Sequence, residues 1–229
     1  MQQTPPIRDA ASVIALRDRA GTPRILMGQR GAAAVFMPMK FVFPGGAVDP
    51  GDARIPLTAL PEPCATRLAE ASAPGMAPAL MAAAIREFWE ETGLMLGRPG
   101  AWPDAPGDWQ DFAASGHRPD PSLLRFIFRA VTPPGRPRRF DARFFLVDAD
   151  RAIVGDPDDF THASDELSLL QWIPLSEVRN FDLPFITRVV LAEVAARLDQ
   201  PGPPESVPFF AQDEETQMFR RLNGIAPPL

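Results

Sequence analysis

Three glutamates stand within five residues of a segment that otherwise has the pattern of a buried helix. The segment IREFWEETGL contains Glu87, Glu90 and Glu91. Like charges three or four positions apart destabilise a helix by about 0.2–0.5 kcal/mol per pair. Grouped carboxylates are also the ligands that hard cations such as Mg²⁺ and Mn²⁺ prefer, and a bound cation would remove the repulsion. The spacing therefore indicates a metal site, with a solvated acidic face as the simpler alternative.

The helix around these glutamates has one apolar side. Met81, Ile85 and Phe88 form a stripe at about 100° per residue, and the glutamates lie together at its margin. Arg86 precedes Glu90 by four residues and can pair with it, but one arginine cannot neutralise three carboxylates. A glycine turn earlier in the chain, in FVFPGGAVDPGD, offers backbone carbonyl groups as further ligands. Both features favour the metal site.

The rest of the chain predicts an α/β fold that holds these two segments. Apolar runs and alternations predict strands at 11–17, 24–29, the start of 41–52, 123–131, 140–147 and 167–173. Helical patterns predict helices at 65–71, 108–114, 184–198 and 213–222. Two further helices are predicted to begin at residue 78 and at PLSEV. Strands, a helix, more strands and closing helices predict an α/β sandwich with a mixed sheet.

With these elements in place, the two segments resemble a Nudix box, the pattern G-x5-E-x7-R-E-U-x-E-E-x-G-U in which U is a bulky apolar residue. The second half is matched at each fixed position, by Arg86, Glu87, Phe88, Glu90, Glu91, Gly93 and Leu94. The first half begins at Gly46 and has Asp52 where the family has glutamate. Between Asp52 and Arg86 lie 33 residues where the pattern has 7, so the box resembles one interrupted by 26 residues.

The resemblance covers about residues 10–198. The interrupted box and the later motif PRRFDARFF, residues 137–145, resemble the acyl-coenzyme A diphosphatase branch of the Nudix family. This implies an α/β/α sandwich and a hydrolase in which water attacks phosphorus, giving 3′,5′-ADP and (acyl-)4′-phosphopantetheine from coenzyme A or acyl-coenzyme A. A nucleotide sugar or a dinucleotide is the alternative substrate. A Nudix-fold ligand sensor without turnover is the alternative of another class.

Carried over by position, the resemblance implies roles for the residues of the box. Glu90 and Glu91, with the carbonyl group of Gly46, would bind Mg²⁺ or Mn²⁺. Glu87 would be either a third metal ligand or the general base. Arg86 would orient a carboxylate of the box.

Family members also supply an acid from a loop before a late strand. In this chain THASDELSLLQWIPL offers Glu166 as the catalytic base, with Asp165 as its neighbour. A base must reach the attacking water directly or through one intermediary. The alternative is that both residues merely precede a strand.

Basic residues near the box are candidates for binding the substrate's phosphates. Arg138 and Arg139 lie with Arg136 in the loop PGRPRR, and the planar fork of arginine suits phosphate. Lys40 precedes the glycine turn and Arg30 closes the second strand. A solvated loop explains the same arginines.

Other side chains have both an ordinary and a functional interpretation. Phe36, Met37 and Met39 could line an acyl or pantetheine pocket, although core packing is the more frequent role of such residues. Ordinary roles are expected for the remaining candidates, which are Trp172 in the core and His117 and His162 on surface loops.

Composition narrows the class of protein. The net charge of −6 disfavours an electrostatic nucleic-acid binder, and no run of 18 apolar residues predicts a membrane span. With no recognised secretory signal and a single cysteine, Cys64, expected to be inert, the sequence predicts a cytoplasmic location. We interpret 1–229 as a single domain with an insertion at about 53–78 and a proline-rich tail at about 200–229. A homodimer is compatible with this interpretation.

Overall fold

The computed structural model describes residues 5–58, 61–212 and 217–224. Within them the strands are β1 (Ile7–Arg17), β2 (Arg24–Arg30), β3 (Phe41–Val42), β4 (Gly45–Ala47), β5 (Met95–Pro99), β6 (His117–Pro119), β7 (Arg125–Val131), β8 (Arg139–Asp148), β9 (Ile153–Val154), β10 (Leu167–Pro174), β11 (Val207–Gln212) and β12 (Gln217–Leu222). The α-helices are α1 (Cys64–Ala69), α2 (Met76–Thr92), α3 (Gln110–Ala114), α4 (Ala149–Ala152) and α5 (Phe185–Ala195). Short 3₁₀ helices cover Asp52–Arg54, Gly107–Trp109 and Val178–Asn180. Among the described helices, none has both the length and the apolar character that crossing a bilayer requires.

A mixed sheet of nine strands forms the centre of the described structure. Its order is β10-β2-β1-β8-β7-β11-β12, with β3 paired to β2 and β4 paired to β1. β1 runs parallel to β8 and antiparallel to β2 and β4. Ala11 of β1 pairs with Gly46 of β4 on one side and with Arg143 of β8 on the other. The glycine turn and the PRRFDARFF motif therefore lie at the same level of the sheet.

Apolar cores lie on both faces of this sheet, as the alternation of side chains along a strand requires. Val13 of β1 packs in one core with Leu80 and Phe88 of α2. The next residue, Ile14, points to the opposite face and packs in the other core with Val190 of α5. Helices cover both faces, so the predicted α/β sandwich with a mixed sheet is confirmed.

Helix α2 forms because its sequence is rich in alanine and other strong helix formers. Met81, Ile85 and Phe88 are fully buried, which matches the predicted stripe. Gly93 ends the helix with a φ of 72°, a left-handed conformation that glycine adopts without steric cost. Its N–H donates to the carbonyl oxygen of Trp89 at 2.8 Å. The helix therefore carries the glutamates of the second segment of the box on a rigid element.

The end of the described chain differs from the prediction. Residues 217–222 form β12, so the helix predicted over 213–222 is wrong there, and 213–216 lie outside the described residues. Leu222 pairs with Val207 of β11, and both side chains are fully buried. Burial against the α2 side of the sheet outweighs the weak local helical pattern.

Two smaller differences concern short elements. The helix predicted from PLSEV is only the 3₁₀ turn Val178–Asn180. Strands β6, β5 and β9 form a separate three-stranded sheet that the sequence did not indicate. Strands of two to five residues are too short to show an alternation of apolar and polar side chains.

Candidate active site

Arg86 of α2 is the centre of a buried network of ion pairs. Its Nε and Nη2 atoms donate to the two carboxylate oxygens of Asp52 at 3.0 and 3.1 Å. Nη1 donates to Glu87 at 2.9 Å and to Glu90 at 3.2 Å, so the expected pair between Arg86 and Glu90 is present. Nη2 also donates to the carbonyl oxygen of Ala47 at 3.1 Å. We refer to the following residues as the glutamate cluster: Asp52, Arg86, Glu87, Glu90 and Glu91.

Asp52 joins the first segment of the box to the second. Its side chain is 2% exposed, and besides Arg86 it accepts a hydrogen bond from the Asp49 N–H at 2.8 Å. The two-pronged contact with Arg86 is the strong geometry for a guanidinium and a carboxylate. Although 33 residues separate Asp52 from Arg86 in the sequence, the fold brings the two side chains into direct contact.

The two glycines of β4 lie against the glutamates of α2. The N–H of Gly45 donates to Glu91 Oε2 at 2.7 Å. At Gly46 a Cβ atom would stand 2.4 Å from the carboxylate of Glu87, so a side chain there would force this carboxylate to move. The pairing of β4 with β1 holds this backbone in place. The glycine turn thus forms a close-fitting wall of the cluster, and the structure places Gly46 beside the glutamates as the sequence suggested.

Burial changes the acidity of the glutamates. It raises the pKa of Glu87 to about 7, which the Arg86 charge lowers in part and the charges of Glu90 and Glu166 raise further. It raises the pKa of Glu91 to about 8, against the lowering effect of the Gly45 N–H. The pKa of Glu90 is raised for the same reason. Removing carboxylates from water disfavours their charged form, and a nearby cation would reverse that effect.

The donor atoms suit a hard divalent cation. Oxygen ligands from carboxylates and backbone carbonyls are those that Mg²⁺ takes. The hydrogen bonds found in the described part of the chain use one oxygen each of Glu87, Glu90 and Glu91, so a second oxygen of each carboxylate remains for a ligand. Within the same residues, no three His, Cys, Asp or Glu side chains already enclose a space for an ion.

The loop before β10 brings Glu166 to the cluster. The N–H of Ser164 donates to the carbonyl oxygen of Glu90 at 2.8 Å, and the His162 ring stacks on Trp89 with centroids 6.3 Å apart. The charge of Glu166 contributes to the raised pKa values of Glu87 and Glu91. The structure therefore places the predicted base in the electrostatic neighbourhood of the box glutamates. Asp165, its neighbour, is also exposed.

The basic candidates divide into two groups. Arg30 ends β2 beside the cluster, where its charge lowers the pKa of Glu91. Lys40 instead pairs with Asp182, with its Nζ 2.6 Å from the carboxylate, in the segment that precedes α5. The structure thus brings Arg30 to the site, whereas the Lys40 ammonium is held on the α5 side of the sheet by another partner.

Arg138 and Arg139 lie at the start of β8. The Nε of Arg139 donates to the carbonyl oxygen of Thr132 at 3.1 Å, and Arg138 is exposed in the loop with Arg136. Arg139 precedes Arg143, which is level with Gly46, by four strand positions, or about 13 Å. These arginines are therefore not part of the glutamate cluster, although they lie at the same end of the sheet as the β1 start.

Several side chains have the ordinary roles that the sequence suggested. Trp172 is buried in the α2-side core and donates its Nε1–H to the carbonyl oxygen of Pro157 at 3.0 Å. Cys64 is buried in α1, and burial raises the pKa of its thiol to about 11, which keeps it protonated and unreactive. His117 contacts Ser115 and stands apart from the cluster.

Two acids near the cluster were not singled out from the sequence. Asp49 lies 3.8 Å from Arg86, and its position inside GGAVDPGD was a usable signal. Asp108 contributes to the raised pKa of Glu90 from the 3₁₀ helix before α3. Nothing in the local sequence pattern links Asp108 to the box, because only the folded chain brings the two together.

Comparisons with known proteins agree with this geometry. No family model matches the sequence. The chain is 30% identical to a Nudix hydrolase from Alicyclobacillus acidocaldarius, whose crystal structure superposes with a TM-score of 0.64 over 87% of this chain and 99% of that one. It is 28% identical over 193 residues to the "Putative nudix hydrolase 7" of Caenorhabditis elegans, a match that covers 74% of this chain and 52% of that protein. The chain thus spans about half the length of this curated relative.

The fold is an α/β sandwich with a mixed sheet, and its candidate site is rich in carboxylates. The chain belongs to the Nudix hydrolase family, on the strength of the solved relative that it covers almost completely. The predictions of this family and of an enzyme are therefore confirmed. Nudix hydrolases generally use divalent metal ions, which agrees with the donor set of the glutamate cluster.

Proposed function

We propose that this protein is a diphosphatase that depends on Mg²⁺ or Mn²⁺ and cleaves coenzyme A or acyl-coenzyme A to 3′,5′-ADP and (acyl-)4′-phosphopantetheine. The observation that carries the proposal is the composition of the glutamate cluster. Four carboxylates lie in this cluster with one arginine, which pairs with Asp52, Glu87 and Glu90, and two of the four, Asp52 and Glu91, are buried. Such an excess of buried negative charge is stabilised by a cation, and a diphosphate needs one for its hydrolysis.

Each residue of the cluster has a proposed part in the reaction. Glu87, Glu90, Glu91 and the Gly46 carbonyl would hold the ion, which when bound neutralises the diphosphate and lowers the pKa of a water molecule. Arg86 orients Glu87 and Glu90 through its hydrogen bonds at 2.9 and 3.2 Å. Glu166 is proposed as the base that accepts a proton from the attacking water, with Glu87 as the alternative.

The substrate is proposed from the interrupted box and the PRRFDARFF motif, and apolar residues beside Arg30 support it. The N–H of Met39 donates to the carbonyl oxygen of Arg30 at 3.1 Å, and Leu169 lies in the neighbouring strand β10. The two side chains are 49% and 63% exposed. Both residues have left-handed backbones, with φ of 61° and 52°, a strained state that concentrates at functional sites. An aliphatic pantetheine or acyl arm would cover such residues.

The remaining basic residues have a secondary part in the proposal. Arg30 is the candidate for the diphosphate, because its charge already acts on Glu91. Arg138 and Arg139 are proposed for a more distant phosphate of the substrate, such as the 3′-phosphate of coenzyme A. Lys40 could take part only after leaving Asp182.

One experiment tests the function. Purified protein with Mg²⁺ or Mn²⁺ is incubated with coenzyme A, acyl-coenzyme A, nucleotide sugars and dinucleotides, and products are separated by chromatography. We expect cleavage of the coenzyme A compounds, a loss with EDTA, and a kcat about 100-fold lower in Glu90→Gln. The matched control is Glu193→Gln, which removes a glutamate of α5 that pairs with Arg197, just after the end of this helix. Its kcat should stay unchanged.

The other outcomes discriminate between the alternatives. Cleavage of nucleotide sugars or dinucleotides without coenzyme A would reject the substrate and keep the metal-dependent diphosphatase. Binding of these ligands without any cleavage would indicate a sensor. A Glu90→Gln variant as active as the parent would reject the assigned site.

The organisation of the chain belongs to the same proposal. We propose a single domain in which about 53–78 is an insertion in the box and about 200–229 is a proline-rich C-terminal tail, within which β11 and β12 join the central sheet. The cytoplasmic location and the homodimer stay predictions that fractionation and light scattering would test.

A further inference from the structure

A second group of buried charges lies on the α2 face of the sheet. Arg129 of β7 pairs in register with Arg143 of β8, and Asp9 of β1 pairs in register with Asp141 of β8. Paired residues project to the same face of a sheet, as do residues two positions apart along one strand. All four side chains therefore point to the side that α2 and the insertion cover. We refer to Asp9, Arg129, Asp141 and Arg143 as the balanced cluster.

The four charges of the balanced cluster neutralise one another. Arg129 donates to both carboxylate oxygens of Asp141, from Nε at 2.9 Å and from Nη2 at 2.6 Å. Arg143 donates from Nη1 to Asp9 at 2.5 Å and lies 3.2 Å from Asp141. Arg129 and Arg143 are only 4% and 1% exposed. Two of these residues, Asp141 and Arg143, belong to the PRRFDARFF motif, and the proposed reaction assigns no role to either of them.

The arginines of this cluster also hold three consecutive residues of the insertion. Arg129 donates to the carbonyl oxygens of Glu70 and Ala71 at 3.2 and 3.0 Å. Arg143 donates from Nη2 to the hydroxyl oxygen of Ser72 at 3.0 Å. Ala71 has a left-handed backbone with a φ of 55°, which costs an alanine about 1–2 kcal/mol. At this turn after α1 the guanidinium group of Arg129 binds two successive carbonyl oxygens, and Arg143 binds the hydroxyl group that follows them.

The insertion in turn holds the end of the described chain. The carboxylate of Glu70 accepts hydrogen bonds from the N–H groups of Asn223 and Gly224, both at 2.9 Å. Arg67 of α1 donates to the carbonyl oxygens of Pro204 and Glu205. The motif, the insertion and the segment around β11 and β12 therefore form one connected assembly on the α2 face.

The balanced cluster lies close to the proposed site without touching it. Arg143 and Gly46 pair with the same residue, Ala11, from opposite sides. The two are thus separated by two strand spacings, or about 10 Å. The insertion begins after Asp52 and ends before Arg86, and these are the two residues whose contact closes the glutamate cluster.

We propose that Asp141 and Arg143 of the PRRFDARFF motif, with Arg129 and Asp9, are the receptor for the insertion and act as positioning residues for the glutamate cluster. By fixing residues 70–72 on the sheet, they limit the movement of the chain that links Asp52 to Arg86. The motif and the insertion that interrupts the box then share one function, which is to hold the two segments of the box in place. The catalytic consequence rests on the proposed function, whereas the structural attachment does not.

The test uses Arg143→Gln in the full chain, with Arg125→Gln as the matched control. Arg125 lies on the same strand as Arg129 but donates only to the nearby carbonyl oxygens of Ser122 and Leu124 in the described structure. We expect hydrogen–deuterium exchange of the amides in 64–72 to rise about tenfold in Arg143→Gln and to stay unchanged in the control. The affinity for Mn²⁺, measured by calorimetry, should fall about tenfold.

Kinetics with coenzyme A separate positioning from substrate binding. We expect kcat to fall about tenfold in Arg143→Gln while KM stays within about threefold, because a small displacement of catalytic groups slows the chemical step. Should Arg143→Gln not fold, Ser72→Ala removes only the contact with Ser72, and Ser72→Thr keeps the hydroxyl. The expected order of exchange in 64–72 is then Ser72→Ala above Ser72→Thr and the parent.

Three results would overturn the proposal. Unchanged exchange in 64–72 would show that the cluster does not hold the insertion. Raised exchange with unchanged kcat and Mn²⁺ affinity would show an attachment without a positioning role. A rise in KM alone would make the insertion part of the substrate-binding surface instead. If the parent does not cleave coenzyme A, the proposed substrate is rejected. The exchange and Mn²⁺ affinity measurements then still test whether the balanced cluster is the receptor for the insertion.

Discussion

Two groups of buried charges lie on the same face of the sheet and differ in how they are neutralised. In the glutamate cluster one arginine, Arg86, stands among four carboxylates. In the balanced cluster two arginines meet two aspartates, and each arginine also donates to the insertion. In the first group burial raises the pKa values of Glu87 and Glu91, and the charges of neighbouring glutamates raise them further.

The difference separates a site whose negative charge calls for a bound cation from one whose charges are paired within the protein. Buried charges are costly unless they are paired and hydrogen-bonded. In the balanced cluster each arginine is paired with a carboxylate of the protein, although the Nε of Arg143 has no hydrogen-bond partner among the described residues, and this pairing suits a structural attachment. The glutamate cluster has more carboxylates than arginines, which suits a centre whose remaining charge is compensated by a cation and its substrate.

The largest expected effect comes from removing the central arginine of each group. Arg86→Met leaves Asp52, which is 2% exposed, without its charged partner, and breaking a buried pair costs about 3–5 kcal/mol. Arg129→Met should cost less, about 1–3 kcal/mol, because Asp141 keeps Arg143 at 3.2 Å. Urea unfolding of both variants measures the two free energies. Equal losses would contradict the distinction between the two clusters.

A smaller effect is expected from metal binding. Mn²⁺ at 100 times its Kd should stabilise the parent by about 2.7 kcal/mol, and the midpoint of thermal unfolding should rise accordingly. Glu91→Gln removes a proposed ligand and should abolish most of this rise. Asp141→Asn, in the balanced cluster, should retain it. If the midpoint of thermal unfolding still rises with Mn²⁺ in Glu91→Gln but not in Asp141→Asn, the metal binds at the balanced cluster and not at the glutamate cluster.

A further effect, which is the smallest when it is stated per pH unit, is the pH dependence of the metal-free protein. The folded-state pKa values of Glu87 and Glu91, about 7 and about 8, exceed the ordinary value of 4.5, so the folded state binds protons more tightly than the unfolded state. Stability from these groups is therefore greatest below pH 4.5 and is lost as the pH rises to about 8. Glu91→Gln should reduce the slope by up to about 1.4 kcal/mol per pH unit. Urea unfolding in EDTA between pH 4.5 and about pH 8 measures this slope. A slope that is the same in Glu91→Gln and the parent would contradict the raised pKa of Glu91.

The helix and its charges were predictable because they depend on local sequence. Residues three and four apart in a helix are neighbours whatever the rest of the chain does. The apolar stripe through Ile85, the stop at Gly93 and the pair of Arg86 with Glu90 all follow from this spacing, and the structure contains them. The strands with long apolar runs, such as β7 and β8, were found for the same reason.

Other parts of the site could not be predicted from local patterns. Lys40 lies near the glycine turn in the sequence, yet its ammonium group pairs with Asp182. Asp108 is far from the box in the sequence, yet its charge acts on Glu90. Such contacts depend on which faces of the sheet the connecting segments cross, and a periodicity of 2 or 3.6 residues carries no information about that.

The sequence by itself determined a carboxylate-rich helix, a glycine turn that matches it, and a mixed α/β fold around them. Only the tertiary structure decided that Asp52 reaches Arg86 across 33 residues and that Arg143 holds Ser72 of the insertion. It also decided that 217–222 add a strand to the sheet instead of a helix. The physical reason is that helix periodicity is set by neighbours in the chain. Ion pairs and strand pairs between distant segments form only where burial and charge compensation together stabilise them.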